Sequence, residues 1–223
     1  MKRILFILLG GLLIFYSQTF GADKLLDIKG NRLISYKPSL QLVLPSELHL
    51  VHSLSTDHPR ESSKTRAYVL IREQKKQVED LLILQIAEKT NPQAEPMTLP
   101  PLKPSSEERM YSKGRIKKEE RQIDYLSQLM AWNPEAATLK PLVAKGFVVP
   151  AHLALQGQVL FLYDTEHAVL LWYSRDVQTF GMKVSERDRH WKKGSISGSE
   201  KKAVETFQKK LMEMIESIQF KSP

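Results

Sequence analysis

Apolar and polar residues alternate along the first part of the chain with the period of strands that are buried on one face. The alternation runs from Asn31 to Tyr36 and from Leu40 to Leu44, and it resumes after Pro45. Two longer apolar segments, Arg66 to Arg72 and Val78 to Ala87, flank a polar turn. The pattern predicts short strands followed by an antiparallel hairpin.

The middle of the chain changes character at a Pro-rich segment. Five prolines occur between Thr90 and Ser106, and proline lacks the amide donor that the interior of a helix or sheet requires. We therefore predict a surface loop over residues 90–116. Apolar residues from Lys117 to Trp132 then recur at helical spacing. A second short helix is predicted from Pro134 to Lys145, with Gly146 as its C-terminal cap.

The last third of the chain predicts one more hairpin and a long helix. The apolar runs Gln158 to Tyr163 and Ala168 to Ser174 flank a polar turn. Ser197 to Glu200 has the form of a capping box, and an apolar stripe follows it to about Gln219. The expected fold class is α+β, an antiparallel β-sheet covered by helices with a long amphipathic C-terminal helix. We expect a single domain over residues 22–223.

The order of these segments resembles a known family. The chain has short strands with a Leu44-Pro45 turn, then two hairpins, and a capped helix that ends at Glu216 to Phe220. In this order it resembles the PsbP-like α/β/α sandwich family of exported proteins. The resemblance covers about Leu33 to Ala87 and Gln158 to Phe220 and contains no diagnostic motif. It implies a non-catalytic accessory or binding role.

The N-terminal residues have the organisation of a secretory signal peptide. Lys2 and Arg3 precede an apolar run from Ile4 to Tyr16, and small and polar residues follow as far as Ala22. As a helix this run reaches roughly 20 Å, which is short of a hydrocarbon core of about 30 Å. We therefore expect residues 1–21 to be cleaved near Gly21/Ala22 and the protein to be periplasmic or secreted. The alternative is an uncleaved segment, residues 4–22, that anchors the chain in the inner membrane.

Composition excludes several classes of function. The chain has no cysteine, which excludes thiolate catalysis, zinc ribbons and disulfides. Its net charge is +8, from 33 basic and 25 acidic residues. Acids are interleaved with the bases, unlike a nucleic-acid-binding arm or a polybasic lipid anchor. We expect no nucleic-acid partner, and a weak contact with an anionic membrane surface stays open.

One cluster of residues has the chemistry of metal ligands. His49, His52, Asp57 and His58 combine imidazoles with a carboxylate, the ligand set of Zn²⁺ or Cu²⁺. In a strand, His49 and His52 would lie on opposite faces, whereas in a helix they would share one. The alternative to a metal site is a set of surface histidines beside a turn.

Two further sets of residues are candidates for contact with a ligand or partner. Aromatic side chains could line or rim a groove beside the Pro-rich loop: Trp132, Tyr163, Trp172 and Trp191. The alternative for Tyr163 and Trp172 is a place in the core. For Trp132 and Trp191, which lie at the ends of elements beside polar residues, the alternative is an ordinary half-exposed indole. Basic side chains in the last part of the loop could meet an anion: Arg109, Lys113 and Arg115. Nucleotide-binding and metalloprotease motifs are missing from the sequence, and we predict no cofactor.

These observations lead to three hypotheses about function. The first is an exported, non-enzymatic accessory or binding protein with an unidentified protein or small-molecule partner in the cell envelope. The second is an envelope enzyme that uses His167 with Asp164 or Glu166, although four polar residues between two strands also suit a hairpin turn. The third is a signal-anchored protein of the membrane surface. The sequence assigns no catalytic residue and no oligomeric state.

Overall fold

A computed structural model describes residues 25–151, 153–182, 191–196 and 198–221. The predicted signal peptide lies outside these residues. In chain order the elements are β1 (Leu26–Lys29), β2 (Arg32–Tyr36), β3 (Ser39–Val43), β4 (His49–His58), β5 (Ser63–Gln74), β6 (Gln77–Lys89), β7 (Met110–Lys118), β8 (Arg121–Ala131), α1 (Lys140–Ala144), β9 (Leu153–Leu162), β10 (His167–Asp176), α2 (Gly198–Ser217) and β11 (Gln219–Phe220).

The strands form two antiparallel sheets. A large sheet has seven strands in the order β4-β5-β6-β10-β9-β8-β7, and a small sheet has four in the order β1-β2-β3-β11. The predicted hairpins are confirmed as β5–β6 and β9–β10, although each strand extends beyond its apolar run. Strands β6, β9 and β10 lie inside the large sheet. They are buried on both faces, which explains their nearly continuous apolar sequence.

One face of the large sheet, called the front, packs against α2 and the small sheet. Phe207 of α2 stacks on Tyr173 of β10 with ring centroids 5.5 Å apart. Leu211 of α2 lies over Gly157 of β9, where a Cβ atom would come within 2.5 Å of a Leu211 methyl group. Glycine at this position therefore allows the close approach of helix and sheet. The predicted stripe of the C-terminal helix is confirmed as buried from Ala203 to Ile215.

A buried charge network ties three strands of the front to the connection between the two sheets. Asp80 of β6 is fully buried. Its carboxylate accepts hydrogen bonds from Arg72 Nε at 2.7 Å, Ser46 Oγ at 2.9 Å and Tyr173 Oη at 3.2 Å. Arg175 Nε lies 3.6 Å away. Burial is the larger cause and the negative charge of Asp80 the smaller, and both raise the pKa of Tyr173. Its hydroxyl therefore stays protonated and acts as a donor.

The opposite face, called the rear, is covered mainly by irregular chain. The segment from Trp132 to Val149, which includes α1, packs on Val69 and Ile83. The Pro-rich segment packs through Leu99 and Leu102 on other residues of the same face. Helix α1 is shorter than the predicted Pro134 to Lys145, but Gly146, with φ of 82°, follows its last residues at Ala144 and Lys145 and confirms the predicted glycine cap.

The predicted fold class is wrong, because helices do not cover the sheet. The structure is mainly antiparallel β, with two sheets and two α-helices among the described residues. One helix and the small sheet cover the front, and loops together with the five-residue helix α1 cover the rear. The long C-terminal helix does exist, but its predicted cap, Ser197, lies outside the described residues.

The helix predicted from Lys117 to Trp132 is also wrong, because this segment supplies the end of β7 and the whole of β8. Ile123 and Leu129 belong to the front core, whereas Leu126 belongs to a rear cluster. A strand that is buried on both faces places apolar residues three apart, and this spacing imitates a helix. The Pro-rich loop is correspondingly shorter than predicted, because β7 begins at Met110. No helix among the described residues is long and apolar enough to cross a membrane.

Candidate functional site

A row of small side chains lowers the rear surface of the large sheet. Thr65, Ala87 and Ala168 are direct neighbours on β5, β6 and β10. Four residues along the strands, a row on the same face contains Ile83 and Trp172, which are far larger. Alanine beside alanine therefore leaves a depression in a face that is otherwise filled.

The Pro-rich segment bridges this depression. We call residues 95–102 the strap, and they lie over a central cavity of about 480 Å³. The floor of the central cavity is formed by Ala87, Ala168, Leu160 and Leu170. Both alanines and Leu170 are only half-buried, although they belong to inner strands of the sheet. The strap therefore covers the depression without filling it.

A second cavity adjoins the other side of the strap. This edge cavity, of about 740 Å³, lies over β8 and β7. It shares Met97, Thr98 and Leu99 of the strap with the central cavity. Leu160 lines the central cavity and Leu162, its neighbour on the same face of β9, lines the edge cavity. The two cavities therefore follow one another across the strands, and we call them together the trough.

The strap and its continuation are held by both polar and apolar contacts. Met97 N donates to Thr165 O at 3.2 Å, and Lys113 Nζ donates to Leu102 O at 2.9 Å. Leu102 is buried against Leu126 and Leu160. Beyond the strap, Ser105 N donates to Gln128 Oε1 at 2.7 Å. These contacts hold the strap near its first residues, at its last residue and just beyond it.

A series of hydrogen-bonded glutamine side chains continues from the contact between Ser105 and Gln128 into the sheet. Gln128 Nε2 and Gln158 Nε2 donate to Gln156 Oε1 at 2.8 and 2.9 Å. Gln128 and Gln156 are buried, and the hydrogen bonds offset the cost of removing their amides from water. This series gives the continuation of the strap a rigid polar support.

The two ends of the trough carry opposite charge. Near β5 the central cavity is lined by two carboxylates, Glu61 and Glu95, and by one ammonium group, Lys89. Near β7 the edge cavity is lined by Lys113 and Arg115 with a single carboxylate, Asp124. Lys89 Nζ is also directed at a carbonyl of the loop, Ala94 O, at 2.8 Å. The electrostatic potential of the trough is therefore expected to rise from β5 to β7.

The four aromatic candidates line neither cavity. Trp132 and Trp191 are buried, with exposed fractions of 5% and 1%. Trp172 packs in the rear cluster with Trp132. Tyr163 is buried in the front core and its hydroxyl donates to Ser39 O and Lys221 O. Tyr163 and Trp172 fit the alternative stated for them, a place in the core. Trp132 and Trp191 are more deeply buried than the half-exposed position that was their alternative.

The basic candidates lie closer to the trough. Lys113 and Arg115 both line the edge cavity. Arg109 ends a short 3₁₀ turn just before β7. Arg115 makes two hydrogen bonds with Asp124, at 2.6 and 3.1 Å, while most of its side chain stays exposed. Lys113 is exposed and directed at the strap, so sequence reasoning had identified one wall of the trough.

The histidine cluster is arranged differently from what the sequence predicts for a regular strand. A bulge in β4 between Leu50 and His52 shifts the register, so His49 pairs with Ile71 and His52 with Val69. The bulge cancels the alternation, and both histidines lie beside rear residues rather than on opposite faces. Burial and the charge of Lys145 lower the pKa of His52.

Asp57 forms an ion pair of 3.8 Å with Lys64, and His58 lines the central cavity. Within the described ranges, no three histidine, aspartate or glutamate side chains are arranged to hold a metal ion.

The predicted acid–base group forms the turn between β9 and β10. Asp164 Oδ1 accepts hydrogen bonds from Glu166 N at 2.8 Å, His167 N at 2.7 Å and His167 Nδ1 at 2.9 Å. Burial raises the pKa of Asp164, but these hydrogen bonds and the imidazole outweigh burial and lower it. None of the three residues lines either cavity of the trough. Their arrangement is that of a hairpin turn.

The residues that sequence reasoning missed are the small ones. Ala87 and Ala168 look unremarkable in apolar runs, and their meaning depends on the register that pairs them. The signal that could have found them is two alanines at corresponding places in two predicted strands, next to a proline-rich loop.

The chain matches no protein-family model, and comparisons with curated proteins and with solved structures gave no significant match.

Proposed function

We propose that the protein is a non-enzymatic binding protein of the cell envelope that holds a slender apolar molecule in the trough. The observation that carries the proposal is the pair Ala87 and Ala168 beneath the strap, which leaves a cavity of about 480 Å³ over an apolar floor. Pockets of roughly 300–1,000 Å³ with apolar walls and a few polar groups are typical of small-molecule sites. The location in the envelope rests on the predicted signal peptide.

The strap suits an apolar ligand for a chemical reason. Pro96 and Pro100 line the central cavity and Pro101 lines the edge cavity. Proline presents a hydrocarbon ring and has no amide hydrogen that would be left without a partner against a hydrocarbon. The cover of the trough therefore costs little to desolvate.

The test is to fill the central cavity and measure binding of a neutral fluorescent probe, N-phenyl-1-naphthylamine. Ala168→Phe places a ring in the central cavity, whose volume leaves room for it without disturbing the fold. Ala131→Phe is the matched control, because Ala131 is exposed at the end of β8 and lines neither cavity. We expect saturable binding by the wild type and by the control, and at least a tenfold loss of affinity in Ala168→Phe.

A tenfold loss corresponds to about 1.4 kcal/mol. Circular dichroism and thermal unfolding of each variant show whether the fold is retained. Equal affinity of the wild type and Ala168→Phe would overturn the proposal, as would a wild type that does not saturate.

A further inference from the structure

We infer that the ligand of the trough is a single-chain amphiphile with an anionic head group. The head group lies against β7, and the hydrocarbon chain crosses the sheet toward β5. This inference rests on the proposed function and adds the chemical class and the orientation of the ligand.

The charges of the rear face place the head group at β7. Lys113, Arg115 and Lys117 occupy successive rear positions of this strand, opposite Leu126, Asp124 and Gln122. All three are exposed. Two acids lie close to them: Asp124 at 2.6 Å from Arg115 and Glu120 at 3.2 Å from Lys117. Lys113 is directed at a carbonyl instead, so bases outnumber acids here among the residues that the structure describes.

The opposite end of the trough would repel an anion. Glu61 and Glu95 line the central cavity there against one ammonium group, Lys89. A negatively charged head group would meet like charge at β5 and opposite charge at β7. The charge distribution therefore selects both the sign of the head group and the direction of the chain.

The middle of the trough suits a hydrocarbon chain rather than a peptide. The floor is a face of side chains, so the backbone groups of the inner strands are already paired within the sheet. An extended peptide would find no row of backbone partners there, and its amides would lose their hydrogen bonds to water. Methylene groups have no such cost, and their burial is favourable.

The dimensions agree with a long chain. From β7 to β5 the path crosses β8, β9, β10 and β6. Neighbouring strands are about 4.8 Å apart, so the path is roughly 24 Å long. The apolar side chains lie along the middle of this path: Leu162, Leu160, Leu170, Ala168 and Ala87.

The experiment compares four probes with the same chain and different head groups. Dodecanoate, dodecyl phosphate, dodecan-1-ol and dodecyltrimethylammonium are titrated below their micelle-forming concentrations by calorimetry. We expect both anions to bind at least fivefold more tightly than the alcohol, and the cation to bind most weakly. The preference should decrease as salt is added, because exposed charges are screened. The tighter of the two anions distinguishes a carboxylate head from a phosphate head.

Variants test whether the preference for an anionic head group depends on the basic residues of β7. Lys113→Gln combined with Arg115→Gln should reduce the ratio of dodecanoate to dodecanol affinity to near one. Lys210→Gln is the control, because Lys210 lies on α2, away from the trough, and should leave the ratio unchanged.

The outcomes separate the two proposals. Equal binding of all four probes that Ala168→Phe abolishes would contradict the anionic head group and leave the proposed function standing. Tighter binding of the cation would also contradict the inference. Failure of every probe to bind would overturn the inference and the proposed function together.

Discussion

Replacing Asp80 by asparagine tests how the two sheets are joined. The substitution preserves the shape of the side chain but removes its charge. The carboxylate accepts hydrogen bonds from Arg72, Ser46 and Tyr173, and an asparagine side chain offers only one oxygen to these three donors. Arg175, whose side chain is 14% exposed, also loses its nearby negative charge.

The expected loss of unfolding free energy follows from the burial of Asp80. Removing one partner of a buried ion pair costs about 3–5 kcal/mol. Glu79 stays 3.0 Å from Arg72, so we expect the lower end of this range, about 3 kcal/mol. In a domain of this size each kcal/mol shifts Tm by roughly 2–4 °C, which gives a decrease of about 6–12 °C.

Asp124→Asn is the matched control. It also removes an aspartate that is paired with an arginine at 2.6 Å, but that arginine is 63% exposed. Exposed pairs contribute about 0.2–1 kcal/mol, so the expected decrease in Tm is below about 4 °C. The assay is thermal unfolding followed by circular dichroism, with chemical denaturation as a second measurement. If Asp80→Asn is no more destabilising than Asp124→Asn, the argument from burial is refuted.

Two further predictions concern the strap and one edge of the front. Leu102→Ala removes the apolar anchor of the strap. We expect hydrogen exchange at the Ser105 amide to accelerate at least tenfold without a comparable change in β10, and equal rates would contradict the anchoring role. Burial raises the pKa of Glu88, but hydrogen bonds and charge from Lys37 and Arg66 outweigh it and hold the pKa below its usual 4.5. The stabilisation from a lowered pKa exists above the unfolded value and disappears as the pH falls through the folded value. The difference in unfolding free energy between wild type and Glu88→Gln should therefore decrease below about pH 4.5, and a difference independent of pH would refute this assignment.

Local patterns in the sequence predicted the elements that have one buried face or a clear turn. The alternation around Leu33 and the apolar stripe of α2 are both set by neighbouring residues, and both are confirmed. Gly146 was found for the same reason, because a glycine after a short helix has a specific conformational role.

Elements buried on both faces were harder to predict. In β8, Ile123 and Leu129 meet the front core while Leu126 meets Leu102 of the strap. The helical spacing of these residues results from two separate tertiary contacts, which no local pattern encodes. The same limit applies to the fold class, since the rear of the sheet is covered mainly by loops, with α1 as a single short helix.

The candidate site could be predicted only in part. The Pro-rich segment and two basic residues, Lys113 and Arg115, were identified, and both sets border the trough. The aromatic candidates for a groove wall or rim pack in the core instead, because their large apolar rings are removed from water there. Ala87 and Ala168 form the cavity because their side chains are small. That the two lie side by side becomes visible only when the register of the strands is known. The resemblance to the PsbP-like family and the cleavage of residues 1–21 stay predictions.

The most direct test of the trough as a binding site is a crystal structure of the protein with 12-bromododecanoate. The bromine atom marks the end of the chain by anomalous scattering, so its position does not depend on interpreting weak density. We predict bromine beneath the strap, beside Ala87 and Ala168, with the carboxylate near Lys113 and Arg115. Bromine at any other place on the protein would contradict the account, as would an unoccupied trough at a saturating concentration of the probe.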